Sequence, residues 1–110
     1  MKIKTAELIG AQLDRAVAKC EGARTIYIGA TGKQTLATSR YSTDWAQGGP
    51  IIDREKISIR QWTNVPIVHA YMPVDGADWS SDGDSPLIAA MRCYVACKLG
   101  DEVEIPDQLL

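Results

Sequence analysis

The residue types able to do chemistry fall in four places along the chain. Gly29-Ala30-Thr31-Gly32-Lys33-Gln34 has the glycines and lysine of a phosphate loop. Such a loop also needs a glycine where Tyr27 stands, a Ser or Thr where Gln34 stands, and a helix N-terminus after it, so a hairpin turn accounts for these residues better. Asp75, Asp78, Asp82 and Asp84 offer oxygens of the kind a hard cation takes, but they lack the alternate acids and closing glutamate of an EF-hand. Asp82 and Asp84 also precede a helix start, where the dipole favours acids. Cys93 and Cys97 are i, i+4 neighbours, and Cys20 lies near the end of an earlier helix. Zinc asks for four ligands and His69 is the sole histidine, so the thiols read as small buried side chains. His69 reads as a half-buried strand residue rather than as half of a Cys–His dyad. No metal and no cofactor is expected.

The fourth place is the most informative. In Ser42-Thr43-Asp44-Trp45-Ala46-Gln47-Gly48-Gly49-Pro50, a tryptophan stands among polar residues and glycines. Either it presents an apolar surface rimmed by polar groups, as binding sites do, or it tucks into the domain's own core. The candidate binding residues are therefore Asp44, Trp45, Gln47, Gly48 and Gly49. Arg92 joins them as a charge in the middle of an apolar helix, either facing solvent or committed to a carboxylate such as one of the acids of residues 41 to 55.

The elements that must position these residues follow from periodicity and caps. Residues 5 to 21 read as one helix, with Thr5 as N-cap, Gly22 as stop, and Ile9, Leu13, Ala16, Val17 and Cys20 on one face. Gly10 costs such a helix on the order of 1 kcal/mol, so either something packs closely there or the helix starts later. Thr25 to Ile28 and Thr35 to Thr38 read as a β-hairpin about the turn Thr31-Gly32-Lys33. For residues 41 to 52 no regular element fits well; Ser42 or Thr43 caps at most one helical turn before the glycine pair releases the chain. Residues 57 to 62 alternate as a strand with one buried face, and Val65 to Tyr71 form another that Pro66 makes irregular or places at an edge. Residues 73 to 84 read as a loop. Ser85 as N-cap, Pro86 at the first position and Gly100 past the end mark a helix through Leu99, apolar on most of its circumference. The tail Val103-Glu104-Ile105-Pro106 is extended.

Composition bounds the rest. The 110 residues, 45% hydrophobic and 24% charged, suit one globular domain and exclude a fibrous or disordered chain. No apolar run approaches the roughly 20 residues of a membrane span, and the first residues lack a signal peptide's apolar core. With an odd cysteine count, this points to the cytoplasm of the cell and to no membrane partner. A net charge of -2 argues against coating nucleic acid through bulk charge. The charge is nonetheless uneven: residues 1 to 62 hold ten Lys or Arg against six acids (+4), and residues 63 to 110 hold two against eight (-6). Such a division suits halves that pack together or a second copy docked head to tail, the alternative being a local anion-binding patch in the basic half.

Three segments, Leu13 to Gly22, the string Ser42-Thr43-Asp44-Trp45-Ala46-Gln47-Gly48-Gly49-Pro50-Ile51-Ile52, and Ser85 to Arg92, resemble the NinX family of lambdoid phages and prophages. The likeness continues through Leu99-Gly100-Asp101-Glu102-Val103, and it departs at Arg15, where the family tends to carry an aromatic, and at Ser85, where it tends to carry threonine. The resemblance implies a phage or prophage accessory protein acting in the bacterial host, from a gene neighbourhood of recombination and antitermination accessories. It carries no mechanism with it.

The expected fold is α+β, a small, mostly antiparallel sheet packed against an N-terminal and a C-terminal helix. The leading functional expectation is a nonenzymatic module that binds a protein partner or its own copy through the Trp45 loop. One alternative is a small-molecule or nucleotide-handling enzyme with Asp44, Gln47 and Arg92 around a pocket, against which stands the lack of a recognisable nucleophile, base and metal set. The other is nucleic-acid binding by the basic first half, through Arg24, Lys33, Arg40, Arg54, Lys56 and Arg60.

Overall fold

In chain order the elements are β1 (Lys2–Lys4), a 3-10 turn (Thr5–Glu7), α1 (Ala11–Cys20), β2 (Ile26–Ile28), β3 (Gly32–Gln34), α2 (Trp45–Glu55), β4 (Ser58–Trp62), β5 (Val65–Val74), β6 (Ala77–Gly83), α3 (Pro86–Leu99) and β7 (Glu102–Glu104). The structure, a computed structural model, describes residues 1–21, 26–28, 32–34, 40–74 and 77–105, with the backbone alone for 26–28, 32–34, 74, 77 and 78. All described strand pairs are antiparallel: β4-β5-β6 in one sheet, β1 with β7, and β2 with β3. The fold is α+β, as its sequence predicts.

Helix α3 forms as its caps dictate. The Ser85 side chain accepts from the Ile88 amide at 3.2 Å, Pro86 occupies the first turn, and Gly100 ends the helix at φ 92. Leu87, Ala89, Ala90, Met91, Cys93, Tyr94, Val95 and Ala96 are all buried. One side of α3 packs on the sheet, above all on β5 and β6, and α1 and α2 pack on α3. On the sheet, Val68, Ala70 and Met72 alternate inward to meet it.

The first helix is shorter than periodicity suggests. Gly10, at φ 58 and ψ -132, separates the 3-10 turn from α1, so the later start is the correct alternative. Ile9 falls before the helix and is exposed, whereas Leu13, Ala16 and Val17 are core. Thr5 does not cap: it is buried, and its Oγ1 donates to Gly100 O at 2.6 Å while its amide donates to Asp101 O at 2.7 Å. These bonds tie the 3-10 turn to the end of α3 and align β1, which periodicity had not indicated, with the extended tail, β7.

Two further corrections, and one expectation that holds, concern residues 41 to 83. The segment expected to be irregular is α2, eleven residues long with Pro50 inside it. Pro50 has no amide to offer Ala46, a defect worth about 3 kcal/mol in a helix interior, so packing of buried Ile51 and Gly48 must hold the helix. Strand β5 lies between β4 and β6, and the irregularity expected at Pro66 is there, in the stretch that runs past the end of β6. Pro66 is accommodated because Pro66, Ile67 and Val68 bulge opposite the single residue Gln61, between the pairs Arg60↔His69 and Trp62↔Val65. The expected loop of residues 73 to 84 is mostly strand, with β5 and β6 in register from Val68↔Gly83 to Val74↔Ala77. Asp75 and Gly76 lie outside the described residues. The β2–β3 hairpin is present, but Gly32 and Lys33, expected in its turn, belong to its second strand, Gly32–Gln34. Gly22, Thr25, Thr31, the expected strand at 35 to 38, and Pro106 lie outside the described residues.

Gly48 is the tightest point between α2 and α3. A Cβ there would collide with Tyr41 O and stand 2.6 Å from Leu87 Cδ2. Gly48→Ala should therefore destabilise the fold by about 1–3 kcal/mol despite alanine's better helix propensity. Denaturant melts will check this, with Gly49→Ala as the companion, since its Cβ would meet only Trp45 Cε3 at 3.6 Å.

Candidate functional site

The sequence-predicted binding residues mostly converge on the first turns of α2. Asp44 is the N-cap, its Oδ1 accepting from the Ala46 amide at 2.9 Å. Gln47, three positions on, donates from Nε2 to Asp44 Oδ2 at 3.4 Å and accepts the Arg40 amide on Oε1 at 2.8 Å. An acid followed three residues later by a glutamine is a helix-start signal, and it was the overlooked sign of α2. Trp45 stands at the first helical position and is 55% exposed. Of its two sequence readings, the structure places the ring at the surface rather than in the core. Gly49 lies one turn on against the ring, and buried Gly48 sets the whole turn against Leu87 of α3.

Behind this turn, Asp14 of α1 is buried and accepts the Ser42 amide at 2.8 Å, which anchors the approach to α2. The other end of α2 is held by a charged cluster. Arg54 donates to Glu21 from Nη1 at 3.0 Å and Nη2 at 2.6 Å, to Glu55 from Nε at 2.8 Å, and to Tyr94 Oη at 3.2 Å. The Tyr94 hydroxyl donates to Glu21, and Lys98 lies 3.8 Å from Glu55. Arg54 and Lys98 both sit over the Tyr94 ring. One arginine thus joins α1, α2 and α3.

Arg92 belongs elsewhere. Leu87 faces α2, and five positions on the helix has turned by about 140°. Arg92 Nε donates to Leu8 O and Nη1 to Asp82 O, both at 2.8 Å. Its expected carboxylate partner is replaced by two backbone carbonyls, and partial burial lowers its pKa. The structure does not bring Arg92 together with Asp44 and Gln47. Instead it lines a cleft of about 380 Å³ at the edge of β6 with Ala6, Ile67, His69, Asp82 and Asp84. Sequence reasoning passed over the pair in this cleft: His69 Nδ1 lies 2.7 Å from Asp82 Oδ1, directly across the β5–β6 ladder. A two-strand register fixed in advance is the only signal that finds such a pair.

Arg54 is engaged in the helix cluster and Arg60 projects from β4, while Arg24 and the Lys33 side chain lie outside the described residues. Burial pushes the Cys20 thiol up to about 11 and the Cys93 thiol up to about 12, and Cys93 Sγ donates to Trp79 O at 3.2 Å. Burial of this kind favours the protonated thiol over the nucleophilic thiolate. Among the described residues, no group of three or more His, Cys, Asp or Glu side chains stands where it could hold a metal ion. Nor is any described helix long and apolar enough to cross a membrane.

Fold and site together define an α+β protein built on one buried helix, with an aromatic displayed at a helix N-terminus. The family described as Bacteriophage P22, NinX matches residues 4–98, and the chain belongs to that family of phage proteins. The match takes in α1, α2 and all but the last residue of α3; the likeness at residues 99 to 103 lies beyond it. No curated protein matches the chain.

The helix cluster has a pH signature. Hydrogen bonding from Arg54 holds the Glu21 carboxyl below its ordinary value of 4.5. Because the folded-state value is the lower one, the stabilisation is complete above that ordinary value and is lost as pH falls through the folded value. Glu21→Gln should therefore melt below wild type at neutral pH, and the gap should close on acidification. A gap independent of pH would show that the ionised carboxylate contributes nothing.

Proposed function

We propose that this phage protein is a protein-docking module of the host cytoplasm, and that the first turn of α2 is its recognition element. One observation carries the reading: Trp45, a large aromatic, is 55% exposed on a turn whose backbone is fixed from three sides. Asp44 caps the turn, Gln47 ties it to Arg40, and Gly48 seats it on α3. An indole presented rigidly costs little ordering entropy on binding, and a polar surround of Asp44, Gln47 and Arg40 can exclude water around it. The partner is a protein with an apolar recess for the ring and donors for Asp44. Nonenzymatic action fits a surface whose polar groups cap and position the backbone.

Trp45→Ala tests the reading directly. Partner capture from infected-cell extract should fall at least about tenfold, the loss expected of a tryptophan hot spot, while the melting temperature stays within about 3 °C of wild type. Full capture by the variant would remove Trp45 from the interface. A collapsed melting temperature would show the ring to be part of the fold.

A further inference from the structure

The face of the β4-β5-β6 sheet turned away from α3 has no helix on it among the described residues. Directly opposed residues of an antiparallel sheet share a face, so Arg60, His69 and Asp82 form one row across the three strands. Ser58, Tyr71 and Ser80 form the next row. At the far end, Trp62, Val65 and Ile67 are 47%, 47% and 45% exposed, a cluster of apolar side chains at the end of an otherwise polar face. The face is thus polarised along two directions at once. It is cationic at β4, where no described carboxylate pairs with Arg60, and anionic at β6, where Asp82 meets His69 yet stays largely exposed, and it is apolar at one end of the strands.

We infer that this face binds a second copy of the chain, sheet against sheet, about a two-fold axis running along β5. That axis lays the copy's β4 over β6 and its β6 over β4. Arg60 then meets the second copy's Asp82, and the exchange occurs twice. Rows keep their level along the strands, so Val65 and Ile67 meet their own counterparts. An axis across the strands would oppose Arg60 to Arg60 and set the apolar end against the Ser58, Tyr71 and Ser80 row. Charge and apolar pattern therefore select the same operator, as a self-complementary interface requires.

Shape agrees with this choice. Strand β6 stops at Gly83, opposite Val68, so β5 overhangs it. The cleft lined by Ile67, His69, Asp82, Asp84 and Arg92 opens in that vacancy, with about 380 Å³ to fill. Trp62 stands on β4 at the same apolar end, so the two-fold puts it over the second copy's cleft, with the Arg92 guanidinium on the wall. Each copy supplies one indole and one recess. The surface is separate from the Trp45 turn and goes beyond the docking role proposed for it.

Sedimentation velocity on the whole chain at roughly 1 to 100 µM, the range in which a modest interface associates, tests the inference. Wild type should pass from monomer to dimer. Trp62→Ala should weaken the dimer at least tenfold, and Trp45→Ala should leave it intact. Arg60→Glu and Asp82→Lys chains should each stay monomeric, yet an equimolar mixture should dimerise, because the two-fold pairs each altered site with its opposite charge. Circular dichroism melts verify that these exposed substitutions preserve the fold. A wild-type monomer at the highest concentration overturns the inference, as does a dimer indifferent to Trp62→Ala or a mixture that stays monomeric. So does a monomer whose tryptophan fluorescence is quenched by single-stranded oligonucleotide only when Trp62 is present, which would make the face a base-stacking platform.

Discussion

Helix α3 is apolar around nearly its whole circumference, and a helix of that kind is stable only when every side is covered at once. The sheet covers one side, α1 and α2 cover others, and the 3-10 turn lies along it through Leu8 and Arg92. Each covering element is short, and none buries enough surface to stand alone. Small side chains on α3, Ala89, Ala90, Cys93 and Ala96, let these neighbours come close. Gly83 shows the same constraint from the sheet: a Cβ there would stand 2.7 Å from both Ala89 N and Ile88 Cγ2. The exposed features described above, the Trp45 turn and the outer sheet face, are the reverse sides of elements whose inner sides are committed to this helix.

What was legible in the sequence is what local chemistry decides. Ser85, Pro86, Gly100 and an unbroken apolar stretch between them leave one reading for α3, and the alternation from Ile57 onward leaves one for β4. Gly10 signalled its own ambiguity, and the structure resolves it with a positive φ. The tryptophan string was recognisable as a candidate site, although not as a helix. Gly48-Gly49-Pro50 opposes helix at every position, and α2 exists because Gly48 allows Tyr41 and Leu87 to approach, a contact between residues far apart in sequence.

Arg92 shows the complementary failure. A lone charge on an apolar helix invites a search for carboxylates, and its acceptors are main-chain carbonyls at residues 8 and 82, which carry no side-chain signature. Hydrogen bonds from a charged donor are worth about 1.5–3 kcal/mol each, enough to keep a guanidinium half buried beside β6. The row of Arg60, His69 and Asp82 was hidden for a related reason. Its members come from three strands, and the Asp- and Gly-rich stretch that forms β6 carries no strand signal of its own.

The overhang of β5 also bears on how the protein avoids runaway assembly. Beyond the Val68↔Gly83 pair β5 has no ladder partner on that side among the described residues, and a bare strand edge is ordinarily a template that recruits further chains. Here the overhang contains Pro66, which lacks an amide, inside a bulge that breaks the ladder's spacing. An incoming strand finds neither a regular row of donors nor a flat edge. Association edge to edge, the route by which sheets grow into filaments, is blocked along this stretch by one imino acid.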